Sequence, residues 1–527
     1  MTTARTLARA GLIVSSAFLV SRVLGWVRLV VIANAVDDPA ELDAFFAAFR
    51  IPDLLFQLVA AGALSSALIP VVSGVIASDG AARAWRVVST VTNLMLAALL
   101  VLAVFVFVFA DRLVPLYTSG FDAATMDLTI ELTRIMVLSP IFLALGSVAT
   151  SVLNAQGRFA AAAIAPIVYN LAIIGAAFLL VPSLGVVGLA IGVVAGSFAH
   201  LLVQIGPLRS VGFRYSPRVE ASDPAARKAL ALMAPRAVGL GATQITFVVV
   251  TALATTVGVG AVTAFTIAFT LLQIPIGVIG VPLGVVLLPS LSREAAEGTR
   301  VEFVSLVTRA MRLLVVAMLP IAVLAAILRV ETVALLFGEF DPALINLTAD
   351  TLLAFLVGLV AHALIAVLAR AFYARQDTLT PVAVAVGAVV VNTTLAVVLV
   401  GPYGLPGIAL AIAIAAWLEA GALIVLLRRR EGRLGLAAAA WLGARTALAS
   451  AVAGAVAVLI RGVVEPALAP DPAALGRAEI PGLIAVIVLV TAAFAATFVV
   501  AALALRITEL RSIVAIMVDA FHRPRRS

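Results

Sequence analysis

The stretch Val20–Arg28, with the sequence VSRVLGWVR, lies inside the first long apolar segment, which runs from Leu12 to about residue 35. It carries two arginines, Arg22 and Arg28, at positions where a membrane-spanning helix normally has none. An arginine at the bilayer centre costs about 2.5–3.5 kcal/mol on insertion scales, so it persists where it faces water or an anionic partner. We therefore predict that both arginines line a cavity open to an anionic lipid head group.

The spacing of the two arginines qualifies this prediction. At about 100° per residue, positions six apart on a helix are separated by about 240°. We expect Gly25, between them, to loosen or kink the helix so that both guanidinium groups reach one space. The alternative is a helix that ends early, with both arginines extending to the membrane surface, but apolar residues follow Arg28.

The composition is that of a polytopic membrane protein. Of the 527 residues, 64% are hydrophobic and 12% are charged, whereas soluble proteins contain about 45–50% apolar and about 25% charged residues. The absence of cysteine excludes disulfides and thiolate metal sites. The net charge of +8 comes almost wholly from arginine, and the sequence contains no soluble basic domain. It indicates contact with anionic lipids and not with nucleic acid.

We predict an all-α fold with about fourteen transmembrane helices, because one span takes about 20 apolar residues. Arginines concentrate in alternate connections, which predicts that both termini are cytoplasmic. The predicted helix cores are residues 12–35, 44–76, 87–110, 128–154, 160–181, 184–206, 229–256, 260–289, 304–328, 347–373, 380–400, 404–427, 437–460 and 481–505.

The two halves of the chain contain similar segments in the same order. These pairs are SRVLG at 21–25 with PRAVG at 235–239, IPVVS at 69–73 with LPSLS at 288–292, and NAQGRF at 154–159 with YARQDT at 373–378. We expect two six-helix lobes in a parallel pseudo-repeat, a known transporter plan; chance similarity is the alternative. The predicted domains are an N-lobe at 1–206, a cytoplasmic linker at 207–228, a C-lobe at 229–430, and two final helices with a basic cytoplasmic tail at 431–527.

Polar residues also occur inside the second predicted helix. Arg50, Asp53 and Gln57 share one helix face, which requires a cavity or a polar neighbour. The alternative is a simple Arg50–Asp53 ion pair near the membrane interface. Pro52 favours a kink in this helix.

Two more charged residues are candidates for function. Arg236 corresponds to Arg22 in the repeat; it either faces the same cavity or extends to the nearby membrane surface. Glu419 is the most isolated acid in an apolar helix. It either pairs with a cavity arginine or binds a coupling Na⁺ or H⁺.

The chain lacks the motifs of catalysis. It has no phosphate-binding P-loop, no aspartate-rich cluster and no HExxH zinc motif. We therefore predict no catalytic residue, no metal ligand and no cofactor. This pattern favours a secondary transporter over an enzyme.

Several segments carry a resemblance to a known family. VSRVLGWVR, DAFFAAFRIPDLL, AAGALSSALIPV, GVIGVPLGVVLLPSLS and RAFYARQDTLTPV resemble the MurJ (MviN) family of lipid II flippases, which belongs to the multidrug/oligosaccharidyl-lipid/polysaccharide exporter superfamily. The resemblance runs from about residue 10 to 430. It implies two six-helix lobes around a cationic cavity in a bacterial cytoplasmic membrane, with two final helices forming a groove for a polyprenyl tail. It implies that Arg22 and Arg28 are cavity arginines and that Arg50 is the basic residue of the second helix.

Four positions depart from the family pattern. Phe56 and Ala61 stand where the family often has an arginine and an acid, and Phe269 and Thr270 stand where it often has Asp-Arg. Arg236 is expected to replace part of the missing charge.

The resemblance implies lipid II as substrate, and membrane lipids are the surroundings. The driving force is either the membrane potential or an ion gradient, and in the second case Na⁺ or H⁺ is a further partner. The resemblance also implies movement of lipid II from the inner to the outer leaflet by alternating access, with arginines binding the diphosphate and no covalent chemistry. Three alternatives stay open at this point: a flippase for another polyprenyl-linked glycan, a drug antiporter, and a non-transporting cell-wall scaffold.

Overall fold

The computed structural model describes residues 2–59, 63–432, 434–469, 471 and 480–509, without the side chains of residues 2–15, 18, 63–67, 234–240, 242 and 243. The predicted basic tail at the end of the chain lies outside the described residues. Those residues form helices and no strand, and they divide into two compact units, Met1–Thr263 and Ala264–Ser527. The predicted all-α membrane fold is confirmed, while the lobe boundaries at 206 and 229 stay a prediction.

Eleven helices belong to the first unit. In chain order they are α1 (Thr2–Ala35), α2 (Pro39–Ala48), α3 (Arg50–Val59), α4 (Ala63–Asp79), α5 (Ala81–Leu113), α6 (Ala123–Met136), α7 (Ser139–Ala155), α8 (Phe159–Leu179), α9 (Val181–Leu184), α10 (Val186–Ser210) and α11 (Pro224–Thr255).

The next helix, α12 (Ala261–Pro275), crosses the boundary between the units. The second unit continues with α13 (Val281–Glu297), α14 (Arg300–Ile327), α15 (Arg329–Leu336), α16 (Pro342–Leu356), α17 (Leu359–Ala374), α18 (Leu379–Glu431), α19 (Leu436–Leu468) and α20 (Ile480–Ala504). Within the described residues, nine helical segments are long and apolar enough to span a membrane, two of them being the pairs α6–α7 and α12–α13, and the bent pair α16–α17 adds a tenth. Each of the fourteen predicted segments falls on one helix or on consecutive helices.

Prolines explain where the predicted second and fourth helices break. Proline has no N–H to donate to the carbonyl four residues earlier. Pro52 leaves the Ala48 carbonyl without its donor, and α2 ends at Ala48. Pro140 does the same to Met136, where α6 ends. The helix therefore breaks one turn before Pro52, while the predicted kink itself stays a prediction.

The eighth predicted helix contains a π-helical turn at Ile276–Gly280, between Pro275 and Pro282. The N–H of Val281 donates to the carbonyl of Ile276, five residues back instead of four. Two prolines in close succession remove two ordinary helical donors, and a wider turn re-pairs the backbone between them.

The two halves repeat at a constant spacing. The region runs from Pro70 to Gly185 in the first half and from Pro289 to Gly404 in the second. Within it, each structural feature of the second half lies 219 residues after the matching feature of the first. The pairs are Pro70 and Pro289 inside helices, Asp122 and Asp341 as N-caps, the helix ends Ala155 and Ala374, and Gly185 and Gly404. Both glycines have positive φ, 56° and 58°. The pseudo-repeat predicted from short sequence similarities thus extends to backbone conformation.

One turn of the repeat has a glycine in the first half and a glutamine in the second. Gly157 has φ 69°, and Gln376, 219 residues later, has φ 60°. The N–H of Gly157 donates to Asn154 O (3.0 Å), and the N–H of Gln376 donates to Tyr373 O (2.9 Å). The second half therefore holds a glutamine in the left-handed region that favours glycine.

The connection between α10 and α11 is bonded along α5. The Tyr215 hydroxyl donates to Asn93 Oδ1 (2.6 Å), and the Asn93 amide donates to Ser216 O (2.9 Å). Phe213 packs edge to face on Trp85, with ring centres 5.5 Å apart. The non-helical part of the predicted linker is therefore an ordered strap on α5.

A buried ion pair attaches α19 to α15. Glu331 is fully buried, and its Oε1 lies 2.5 Å from Nε of Arg461. Arg461 also pairs with Glu465 (2.9 Å) and donates to the Ile327 carbonyl (3.1 Å). One arginine thus neutralises a carboxylate that has no access to solvent.

We expect Arg461→Ala to destabilise the protein by about 3–5 kcal/mol, because it leaves the buried Glu331 carboxylate unpaired. Thermal unfolding in detergent micelles measures this effect. Arg329→Ala is the matched control, since its 3.4 Å pair with Asp350 is partly exposed and such pairs contribute about 0–1 kcal/mol. Equal losses in the two variants would contradict the assignment.

We expect Gln376→Gly to stabilise the protein by about 0.5–1 kcal/mol. Relief of left-handed strain, about 1–2 kcal/mol, exceeds the added entropy of the unfolded chain, about 0.4–1 kcal/mol. Gln156→Gly is the control, since Gln156 has φ −94° and only the entropy cost applies. Thermal unfolding should move in opposite directions in the two variants; a loss of stability in both would disprove the strain.

Candidate anion-binding site

Arg28 has a buried Nε–H group that donates to no acceptor. It lies on α1 with its guanidinium carbon 5.5 Å from the ring centre of Tyr169 on α8. Its Nε is buried and has no hydrogen-bond partner. A cation on an aromatic face is partly stabilised, but the unused N–H still requires an oxygen atom. This pattern suits an anionic ligand.

Arg22 lies on the same helix and is half-buried. Helix α1 runs through Gly25 without a break, so this glycine does not interrupt it. No atom lies within 4 Å of the position that a Cβ on Gly25 would occupy. Nearby, the Asn170 amide of α8 donates to the Ser21 carbonyl (3.3 Å). Gly25 therefore leaves open space at its own position on a helix that packs against α8.

Arg50 is held by α11. Its Nε donates to the Thr251 hydroxyl (2.8 Å), and its guanidinium carbon lies 5.6 Å from the ring centre of Phe247. It also lies within electrostatic range of Asp53 and Tyr117. The side chain is half-buried, so packing from α11 fixes a cation inside the first unit.

Asp53 is one turn further along α3 and is exposed. Both Arg50 and Arg28 act electrostatically on its carboxylate. No ion pair within 4.0 Å joins Asp53 to an arginine in the part of the chain that the structure describes. The simple Arg50–Asp53 pair considered above is therefore not formed. Gln57 follows on the same face and is half-buried.

Within the first unit, Arg28 and Arg50 both act electrostatically on Asp53, and Arg22 lies on the helix that carries Arg28. Two guanidinium groups against one carboxylate leave an excess of positive charge. Across the described residues, no three His, Asp or Glu side chains gather as a metal site. The arrangement is chemically suited to binding an anion.

The other predicted residues lie elsewhere. The side chain of Arg236 lies outside the described residues. Glu419 is on α18 in the second unit, half-buried, and among the described residues it forms no ion pair or hydrogen bond. Whether these two residues take part in the site therefore stays a prediction.

Three of the four positions that depart from the family pattern lie among the described residues, and their side chains have clear packing or hydrogen-bond partners. Phe269 stacks on Phe265 with ring centres 6.0 Å apart and packs on Phe355 at 5.6 Å. Thr270 donates to the Thr266 carbonyl of its own helix (2.7 Å). Phe56 packs against the buried apolar core of the first unit, and Ala61 lies outside the described residues. An aromatic cluster thus occupies the position where the resemblance implies a charged pair.

Sequence reasoning missed Asp43, a buried carboxylate. Asp43 on α2 accepts hydrogen bonds from the N–H of Gly260 (2.8 Å), the N–H of Thr263 (2.7 Å) and the Thr263 hydroxyl (2.7 Å). It therefore caps the N-terminus of α12 from a distant point in the chain. An aspartate ahead of an apolar helix resembles a local N-cap, and nothing in the sequence connects it with residue 260. Tyr169, Phe247 and Thr251 were missed for the same reason.

We expect Asp43→Ala to destabilise the protein by at least about 2 kcal/mol, because hydrogen bonds to a charged acceptor contribute about 1.5–3 kcal/mol each. Thermal unfolding in detergent tests this. Asp38→Ala is the control: Asp38 is an exposed N-cap of α2, and loss of such a cap costs about 1 kcal/mol. A smaller loss for Asp43→Ala than for the control would contradict the buried cap.

Comparisons with known proteins agree with the resemblance described above. The family profile described as "Lipid II flippase MurJ" matches residues 32–471. The chain is 34% identical over 505 residues to a probable lipid II flippase MurJ of Rhizobium tropici, covering 93% of this chain and 92% of the relative. It is 33% identical over 432 residues to the lipid II flippase MurJ of Burkholderia cenocepacia, covering 80% and 84%.

Solved structures show the same fold. A lipid II flippase MurJ in an inward closed conformation matches with a TM-score of 0.74 at 22% identity, covering 92% of this chain and 98% of that one. An inward-facing multidrug resistance MATE family transporter of the MOP superfamily matches with a TM-score of 0.65 at 18% identity, covering 79% and 95%. The resemblance drawn from five short segments is confirmed over most of the chain, which therefore belongs to the lipid II flippase MurJ family.

Proposed function

We propose that this chain moves lipid II, a polyprenyl-diphosphate-linked peptidoglycan precursor, from the inner to the outer leaflet of the bacterial cytoplasmic membrane. Membership of the MurJ family supports the substrate. The observation that carries the chemistry is the pair Arg28 and Arg50, which belong to different helices and both act electrostatically on the Asp53 carboxylate. No covalent bond is made or broken; the protein binds lipid II, encloses its head group and releases it.

Arginine fits the diphosphate better than other cations do. Its planar guanidinium donates two parallel hydrogen bonds to phosphate oxygens, and it stays charged in apolar surroundings. Arg28 contributes a buried, unpaired Nε, and Arg50 is oriented by Thr251. In this proposal Arg22, with open space beside Gly25, makes a further contact, and Arg236 adds a cation from α11. Asp53 and Gln57 then offer acceptors to the hydroxyl or amide groups of the head group.

Movement between leaflets follows an alternating-access cycle in the proposal. Solved proteins with this fold have been described in inward closed and inward-facing conformations, which supports a family of states with different access. In the proposal both termini lie on the cytoplasmic side, since the arginine-rich connections follow the positive-inside rule. We propose Glu419 as the site of a coupling Na⁺ or H⁺, because it is a half-buried acid with no ion-pair partner among the described residues.

A flippase for another polyprenyl-linked glycan would use the same arginines, so the diphosphate chemistry does not separate it from lipid II transport. A drug antiporter that exports cations does not fit an excess of positive charge. A scaffold without transport predicts that the site arginines can be replaced freely.

We expect the wild-type chain to rescue growth of a bacterium depleted of its lipid II flippase, and Arg28→Ala and Arg50→Ala to fail. Loss of charge-assisted hydrogen bonds worth about 1.5–3 kcal/mol each reduces diphosphate binding by about tenfold or more per residue. The measurement is growth and lipid II accessibility at the outer face, at matched expression. Arg22→Ala and Glu419→Gln in the same assay test the further contact and the ion site.

Arg134→Ala is the matched control, because Arg134 pairs with Asp111 (2.7 Å) away from the site and its loss should leave rescue intact. Rescue by both Arg28→Ala and Arg50→Ala would refute the arginine site and favour a scaffold. Failure of the well-expressed wild type would favour a different lipid-linked glycan.

A further inference from the structure

Arg370 is a cation that the site described above does not use. It lies on α17, one turn before that helix ends at Ala374, and within the predicted span 347–373. It is half-buried. Its Nη1 donates to the Ala366 carbonyl of its own helix (2.5 Å). Among the described residues it has no acidic partner, and Tyr373 is the one titratable group that acts on it. The segment RAFYARQDTLTPV therefore contains a guanidinium that no described carboxylate pairs with.

Gly284 on α13 makes room for this guanidinium. A Cβ at Gly284 would lie 2.6 Å from Nη1 and 2.8 Å from Cδ of Arg370. Real Cβ atoms do not come this close, so any residue other than glycine would displace the end of the arginine side chain. Gly284 is buried, and α13 and α17 pack together along this face. The second unit thus holds the guanidinium of Arg370 against bare backbone.

The remaining donors of Arg370 are available. No nitrogen of Arg370 is both buried and without a hydrogen-bond partner. Its unpaired N–H groups are therefore accessible. A guanidinium within a span, fixed on one side and accessible on the other, is stabilised by a negatively charged acceptor, and no acid among the described residues supplies one. Phosphate is the anionic group that membrane lipids carry, and guanidinium binds it through two parallel hydrogen bonds.

We propose that Arg370, positioned by Gly284, is a phosphate-binding residue of the second unit that takes the phosphate of a membrane lipid. The lipid is the polyprenyl diphosphate substrate, an identification that rests on the proposed function. Bulk anionic phospholipid carries the same chemistry and is the other source of a phosphate at this position. The test below separates the two.

The experiment uses the purified full chain in a neutral detergent, titrated with undecaprenyl diphosphate and, in a separate arm, with phosphatidylglycerol. We expect Arg370→Gln to weaken binding of undecaprenyl diphosphate by about tenfold, because one charge-assisted bidentate contact is lost. Arg370→Lys should restore part of the affinity, since charge returns without the planar geometry. Thermal unfolding of each variant shows whether it folds.

Gly284→Ala tests positioning without touching the arginine. The new methyl group displaces a flexible side-chain end, so the protein should fold while diphosphate affinity falls. Gly280→Ala is the control four residues earlier, in the π-helical turn that leads into α13, because its Cβ would meet the Cα of Ala363 at an ordinary 3.5 Å. Its affinity should equal that of the wild type.

Wild-type affinity in folded Arg370→Gln and Gly284→Ala, in both lipid arms, would overturn the inference and leave the proposed function intact. Loss confined to the diphosphate arm supports the substrate as ligand. Loss confined to the phosphatidylglycerol arm supports a phosphate site for bulk lipid and overturns the substrate assignment. Failure of the wild type to bind undecaprenyl diphosphate would instead contradict the proposed function, while the phosphatidylglycerol arm still tests Arg370.

Discussion

A guanidinium group in hydrocarbon must be compensated, and the first unit is arranged around that requirement. A cation on an aromatic face gains about 0.5–2 kcal/mol, less than the about 2.5–3.5 kcal/mol that an arginine costs at the centre of a span. The ring of Tyr169 therefore compensates Arg28 only in part. Arg50 donates to the Thr251 hydroxyl and lies on the ring of Phe247, and the Asp53 carboxylate acts on it electrostatically. The packing of α8 on α1 and of α11 on α3 thus fixes two guanidinium groups inside the first unit. Under the proposed function, the diphosphate supplies the rest of the compensation that Arg28 requires.

Much of this architecture could be predicted from the sequence, because it depends on local properties. Long apolar segments predicted the helices, and Pro52 predicted a break whose position follows from one missing N–H. Arg28 and Arg50 stood out because charge is rare in spans. Their partners could not be predicted: the bond from Arg50 to Thr251 joins residues 201 positions apart. Asp43 and Gly260 are 217 positions apart. Such pairs depend on tertiary packing, to which periodicity and composition are insensitive.

Gly25 shows the opposite error. A glycine between two arginines suggested a flexible point, yet α1 continues through it. Glycine lowers helix propensity by about 1 kcal/mol relative to alanine, which packing against a neighbouring helix readily offsets. What the missing side chain contributes here is volume: there is open space next to Gly25. Gly284 contributes volume as well, but there the side chain of Arg370 fills it.

The constant spacing of 219 residues between Pro70 and Pro289, and again between Gly185 and Gly404, restricts how this chain can change in length. Inserting one residue into a helix turns everything beyond it by about 100° and moves it by about 1.5 Å. Loops between such helices absorb insertions easily, yet neither half has gained or lost a net residue over this region. Even the turn that exchanged glycine for Gln376 kept its length and its left-handed backbone. The two halves differ in the identity of their residues but not in the number of residues. This is the pattern expected where each helix face packs against a neighbouring helix.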